Sequence, residues 1–263
     1  MSYFDKLLKV KNLVFYLFKL RFESLAFFFR GGKISLASHD VESRALLKPT
    51  KDAFELIEKV DFAIQYANRL TRYPAPRKLR FQEGMSGQRF RAFLHQLSKL
   101  LGDFNYLEIG VWKGSTAACI LFESRAKALL IDNWSQFGGP SKSARRNLKK
   151  YIDSGSATLV DSSLERILVD GITFSPKLYF YDGDHEYESH FKAIQLLERL
   201  DFECVILVID DWNWENVREG TREGITHSRL KVYKEWEIVT LNSPIGGKYS
   251  AWHNGTYICV LSK

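Results

Sequence analysis

Hydrophobic and polar positions divide the chain into three regimes. Residues 1–80 repeat their apolar positions at helical spacing, with breaks at Gly31-Gly32 and at Pro49. The segment from Asp52 to Ile64 is the clearest case. Arg72-Tyr-Pro-Ala-Pro-Arg-Lys78 reads as a linker, because two prolines so close together stop a helix. Gly87 to Leu101 is again helical, with Phe90, Phe93, Leu94, Leu97 and Leu101 on one face.

From there the pattern alternates. Short apolar runs predict strands at Tyr106–Ile109, Ala128–Ile131, Ala157–Val160, Leu178–Tyr181 and Val205–Ile209. Helices are expected between them at Ser115–Ser124, Ser141–Ile152, a short stretch around Leu164, and Tyr187–Leu200. Such alternation predicts a doubly wound α/β sheet, mostly parallel and covered on both faces. The last regime differs. Trp236–Leu241 and Thr256–Leu261 have only a Gly/Pro/Asn-rich loop between them, which predicts an antiparallel hairpin at one edge.

Charge changes this picture in one respect. Residues 1–100 carry a net charge of +10 and the remaining 163 carry −3, for +7 overall in 263 residues. The basic excess therefore lies outside the α/β region. Cys119, Cys204 and Cys259 are far apart, form no CxxC pair and sit in apolar runs, as buried thiols of a reducing, cytoplasmic compartment do. Residues 1–30 hold two strongly apolar stretches, Asn12–Phe18 and Ala26–Phe29, interrupted by charges. Neither approaches the roughly 20 apolar residues of a membrane span, and no small-residue cleavage site follows. Two readings stay open for them: a helix docked on its own domain or on a second copy of the chain, or one lying on an anionic membrane surface.

Candidate chemistry gathers at the ends of the predicted strands, where open α/β sheets bind ligands. Gly110 and Gly114 follow the first strand and allow close backbone approach. Their spacing is neither a dinucleotide fingerprint nor a phosphate loop, which favours a ligand without phosphate. Asp132 ends the second strand and can accept both hydroxyls of a ribose; Trp134 can cover an adenine face or simply pack. Asp161-Ser-Ser163 ends the third. Asp182-Gly-Asp-His185 ends the fourth and Asp210-Asp211 the fifth. Any one of these aspartates is a credible helix cap. Together they are costly unless a cation neutralises them or some hold protons. Oxygen ligands of this kind suit Mg²⁺ or a similar ion. His185, on the same rim, is a candidate general base.

With these motifs the chain resembles the class I S-adenosylmethionine-dependent methyltransferases, over about residues 82–263. It is most similar to the metal-assisted O-methyltransferases and relatives with a DGDH-x-Y and DD-W pattern. The resemblance implies a seven-stranded Rossmann-like sheet with an antiparallel carboxyl-terminal hairpin, in a methyltransferase domain over 81–263; residues 1–80 lie outside it and read as a basic, aromatic helical extension. It implies cofactor contacts from Glu108, Gly110, Gly114, Ser115, Asp132, Asn133, Trp134, Asp161, Ser162 and Asp182. It implies a metal held by Asp182, Asp210 and Asp211. The base position falls on His185, where catechol-type enzymes have lysine, with Asp184 as the alternative. Gln82-Glu-Gly-Met85 resembles the helix that covers the cofactor. The acceptor is then a hydroxyl of a small molecule or sugar. A nucleic-acid acceptor is the rival reading, since the pI is near 9.2; no Asn/Asp-Pro-Pro-Tyr loop or Pro-Cys nucleophile supports it. A non-catalytic cofactor-binding scaffold is the other.

Overall fold

The computed structural model describes residues 39–70, 73–80, 82–240 and 252–263. The expectations placed on residues 1–30, and the loop between the two last strands, lie outside them. In chain order come β1 (His39–Ala45), α1 (Lys51–Arg69), α2 (Arg77–Arg80), α3 (Gln88–Leu101), β2 (Asp103–Ile109), α4 (Ser115–Leu121), β3 (Arg125–Asp132) and α5 (Ser141–Asp153). Then follow β4 (Ala157–Asp161), α6 (Leu164–Asp170), β5 (Leu178–Tyr181), α7 (Tyr187–Arg199), β6 (Cys204–Asp210), α8 (Glu215–Thr226), β7 (Lys231–Thr240) and β8 (Thr256–Ser262).

The strands form one mixed sheet in the order β1-β7-β8-β6-β5-β2-β3-β4. From β6 to β4 all neighbours are parallel. β8 runs antiparallel to both β6 and β7. Strand alternation divides the core in two. In β6, Cys204, Ile206 and Val208 point to a layer built from α1, α3, α4 and α5, while Val205, Leu207 and Ile209 point to α6, α7 and α8. This is an α/β Rossmann-like fold with an antiparallel carboxyl-terminal hairpin.

Three expectations change. The sheet has eight strands, not seven. The eighth, β1, comes from a segment read as helical and pairs antiparallel with β7. It covers a backbone edge that would otherwise be exposed, and Arg44 bonds Glu235 and Glu237 across the pair. The hairpin β7–β8 is therefore internal to the sheet. Second, the compact unit runs from Ser38 to Lys263, so residues 39–80 belong to it rather than to a separate extension. α1 begins on a Thr50 cap and buries Leu56, Val60 and Ile64; its Asp61 accepts from Lys234 and Trp236 of β7. The stretch read as a linker is packed too, with Tyr73 buried against His95. Third, α8 was not legible. Its Gly220 looks like a helix breaker, but it lets α8 pack tightly on α7: a Cβ there would lie 2.2 Å from the Tyr187 carbonyl oxygen. Among the described residues no helix is long and apolar enough to cross a membrane.

Candidate functional site

The chain runs outward from β2 through β3 to β4, then returns to β5 on the other side of β2. The switch point of the sheet thus lies between β2 and β5, and their carboxyl ends open a cleft of about 460 Å³. Asp182 N–H donates to the Ile109 carbonyl at 2.8 Å, which closes the two strand ends together. Gly110 is forced by that closeness. Its φ is +91°, and a Cβ would sit 1.8 Å from the Asp182 carbonyl oxygen. It serves the neighbouring strand as well as any ligand. Gly114 starts α4 in the left-handed region and faces Leu148 of α5, away from the cleft wall.

Of the expected nucleoside contacts, Gly110, Ser115, Asp132, Asn133, Ser162 and Asp182 line the cleft. Glu108, Gly114, Trp134 and Asp161 are not on its wall. Alternation turns Glu108 into the core beneath α4, where it accepts from Tyr106 Oη at 2.7 Å and Thr116 Oγ1 at 2.5 Å. Burial pushes its carboxyl up to about 8, against the two hydroxyl donors. Trp134 has a φ of +58° and gives its indole N–H to Asp161; Asp161 also meets Arg145. The aromatic positions on the cleft are instead Trp112, Phe137, Tyr181 and Trp214. Phe137 and Trp214 are 58% and 46% exposed. Asp132 accepts from the backbone N–H groups of Val111 and Trp112 at 2.7 Å and of Trp134 at 2.6 Å. It braces the glycine loop, with few lone pairs left for a ribose.

The segment Gln82–Met85 is not helical. It is a strap over the glycine loop: Gln82 donates to the Gly114 carbonyl and Glu83 pairs with Lys113. Met85 and Ser86 reach the cleft.

The opposite wall carries the acidic group. Asp182, His185 and Asp211 each bring a ligand atom within 4.8 Å of the others. His185 Nε2 lies 2.8 Å from Asp211 Oδ2, and Asn254 donates to Asp211 Oδ1 at 2.9 Å. The His185 ring stands edge-on to Trp214, centroids 4.5 Å apart. Burial alone would lower His185, but the hydrogen bond and charge of Asp211 outweigh it and hold the imidazole above its ordinary pKa. Burial likewise raises Asp211, yet His185 and Asn254 bring it below the usual range. Asp182 is pushed well above that range, by burial and by the charges of Asp210 and Asp211.

Asp210 is not part of the group. It is the last residue of β6, and alternation sends it to the α1–α3 side, where Oδ1 is buried without a partner. Burial and the charge of Asp211 raise its pKa. Asp211 leaves the strand with φ +57° and turns to the cleft. The third position of the expected trio is thus His185. Asp184, the alternative base, is exposed and accepts from Ser189, with Gln136 at 3.5 Å. Two carboxylates and an imidazole at these separations make a donor set that a divalent ion fits. Met85, Ser86, Gln136, Phe137, His253 and Asn254 are also on the walls. Met85 falls in the segment read as covering the cofactor; the others carry no sequence signal beyond being polar or aromatic in a loop.

No protein-family model matches the chain, and no curated protein matches it in sequence. Solved structures match its fold. Cofactor-bound Rv0187 from MTB is 16% identical over 81% of this chain and 98% of its own, with a TM-score of 0.50. The O-methyltransferase TomG from Streptomyces achromogenes, involved in tomaymycin synthesis and solved with SAM, is 13% identical over 83% and 92%, also with a TM-score of 0.50. These likenesses establish the methyltransferase fold.

Proposed function

We propose that the chain is an S-adenosylmethionine-dependent methyltransferase that acts on a hydroxyl of a small molecule, with a divalent ion held by Asp182, His185 and Asp211. The observation that carries this reading is the meeting of that trio with Gly110, Asp132 and Ser162 across one cleft at the switch point. Gly110, Asp132 and Ser162 would receive the nucleoside, and the acidic side offers ligands beside them. An imidazole among the ligands favours Mn²⁺, Fe²⁺ or Zn²⁺ over the Mg²⁺ that an all-oxygen set suggested.

A bound ion would supply Lewis acidity, lowering the pKa of an acceptor hydroxyl. The chain's own residues do the rest. Asp132 and Asp182 fix the glycine loop and the strand ends, so donor and acceptor are held in line. With Nε2 turned to Asp211, Nδ1 of His185 is the nitrogen free to take the hydroxyl proton when the ring is not a ligand. Asp211 then stabilises the imidazolium. Trp214 and Phe137 offer flat apolar surfaces to the acceptor. A nucleic-acid acceptor is disfavoured because no Lys or Arg is among the described residues lining the cleft.

The test is a methyl-transfer screen of sugars, glycosides and catechols with radiolabelled donor, before and after chelation and Mn²⁺ restoration. Transfer that is lost on chelation and returns with Mn²⁺ is expected. Transfer at full rate in chelator removes the ion from the account, and no stabilisation by millimolar donor in a thermal melt removes the donor.

A further inference from the structure

A buried cation stands behind the cleft wall and, among the described residues, pairs with no opposite charge. Arg91 of α3 is 3% exposed. Its Nε donates to Ser86 Oγ at 2.8 Å and its Nη1 to the Gln82 carbonyl at 2.9 Å. Both acceptors are neutral, and among the described residues Arg91 makes no ion pair. A guanidinium taken out of water is costly unless a counter-charge meets it. Its remaining amino group, Nη2, is aimed at the strap. A Cβ added to Gly84 would lie 2.7 Å from Nη2 and 1.9 Å from Ser115 Oγ. The guanidinium and the start of α4 therefore converge on one spot. Ser86 and Ser115 both line the cleft there. The Ser86 oxygen is taken up by Arg91, which leaves its hydrogen to donate into the cleft.

The rest of the wall sharpens the point. Asp132, Glu165, Asp182, Asp184 and Asp211 line it, without a single Lys or Arg among the described residues. Apart from the imidazoles of His185 and His253, the positive charge nearest this wall for an anionic group is Arg91, one layer behind Ser86. Resting on the proposed donor, we infer that the amino-acid carboxylate of S-adenosylmethionine binds at Ser86 and Ser115, with Arg91 supplying the counter-charge from one layer behind. The donor's sulfonium is then left toward the acidic wall, where the acceptor oxygen is held. Arg91 so acts as a polarity key that fixes which end of the donor enters first.

Calorimetric titration of the full chain tests this with two ligands, S-adenosylmethionine and its decarboxylated analogue, which lacks only the carboxylate. The wild type is expected to prefer the intact donor by about 10- to 100-fold, as a charge-assisted contact gives. Arg91→Met should erase that preference while keeping its affinity for the analogue, which also shows that the variant folds. Arg91→Lys should recover part of it. Equal weakening of both ligands, or no change in either, overturns the assignment. So does an Arg91→Met protein that binds donor normally but shows a raised KM for an acidic acceptor, since the carboxylate recognised is then the acceptor's. A wild type that binds both ligands alike sinks only the role of Arg91; one that binds neither sinks the donor reading with it.

Discussion

Asp211 grips His185 through one carboxylate oxygen while Asn254 occupies the other. The pair sets a pH dependence. His185 must be unprotonated to accept a proton, and Asp211 holds its pKa up. In the ion-free protein, its titration followed by NMR should lie above the ordinary value of about 6.5, and Asp211→Asn should move it down. Stability follows with the opposite sense. The pair's contribution is fully present between the ordinary carboxylate range and about pH 6.5; it is lost as pH rises through the raised pKa of His185, and as pH falls through the lowered pKa of Asp211. Because Asp211 is also proposed as an ion ligand, Asp211→Asn should abolish ion-dependent transfer at every pH, read from initial rates across pH.

The two adjacent aspartates at the end of β6 should behave differently. Asp182→Asn and Asp211→Asn are expected to abolish Mn²⁺ binding followed by electron paramagnetic resonance. Asp210→Asn should leave it intact, because Asp210, although its charge reaches Asp182, is not among the residues whose ligand atoms meet. The same variant should melt at or above the wild-type temperature at pH 8, since it replaces a buried acid that has one oxygen without a partner.

Glu108 gives a second pH signature. Its carboxyl is raised from 4.5 to about 8 by burial. The folded state thus holds a proton that the unfolded chain releases. Its stabilising effect is complete below about pH 4.5, falls as pH rises toward 8, and is flat beyond. Glu108→Gln should remove that slope, a difference on the order of a few kcal/mol across the window. Thermal melts from pH 5 to 9 measure it. A melt profile that keeps its slope in the variant would place the titrating group elsewhere.

Gly110→Ala should lose stability by at least roughly 1–3 kcal/mol from its backbone conformation alone, with more from the collision with the Asp182 carbonyl. Denaturant unfolding reads the loss. Gly138→Ala, with an equally left-handed φ but open space around it, should cost less.

How far the fold was legible follows from period and parity. Val205–Ile209 and Tyr187–Leu200 are continuous or strictly periodic, and both elements stand as read. β1 is not readable, because His39-Asp-Val-Glu-Ser-Arg-Ala45 is mostly polar and becomes a strand only by pairing with β7. In the site, the strand ends converge as read, but parity fails at the boundary. Whether Asp210 or Asp211 faces the cleft depends on a positive φ that no local pattern announces. Trp134 and Phe137 change places for the same reason, both lying in a loop with left-handed residues. Arg91 sits beside the apolar stripe of α3 and looks like a solvated helix residue until the strap is folded over it.

The pairing of β1 with β7 has a practical corollary. A shortened protein that starts at residue 81 would strip one strand from the sheet and α1 from the layer beneath it. The bare rim of β7, ten residues long, would then be free to recruit a neighbour's backbone, and such a preparation should be sticky rather than merely smaller.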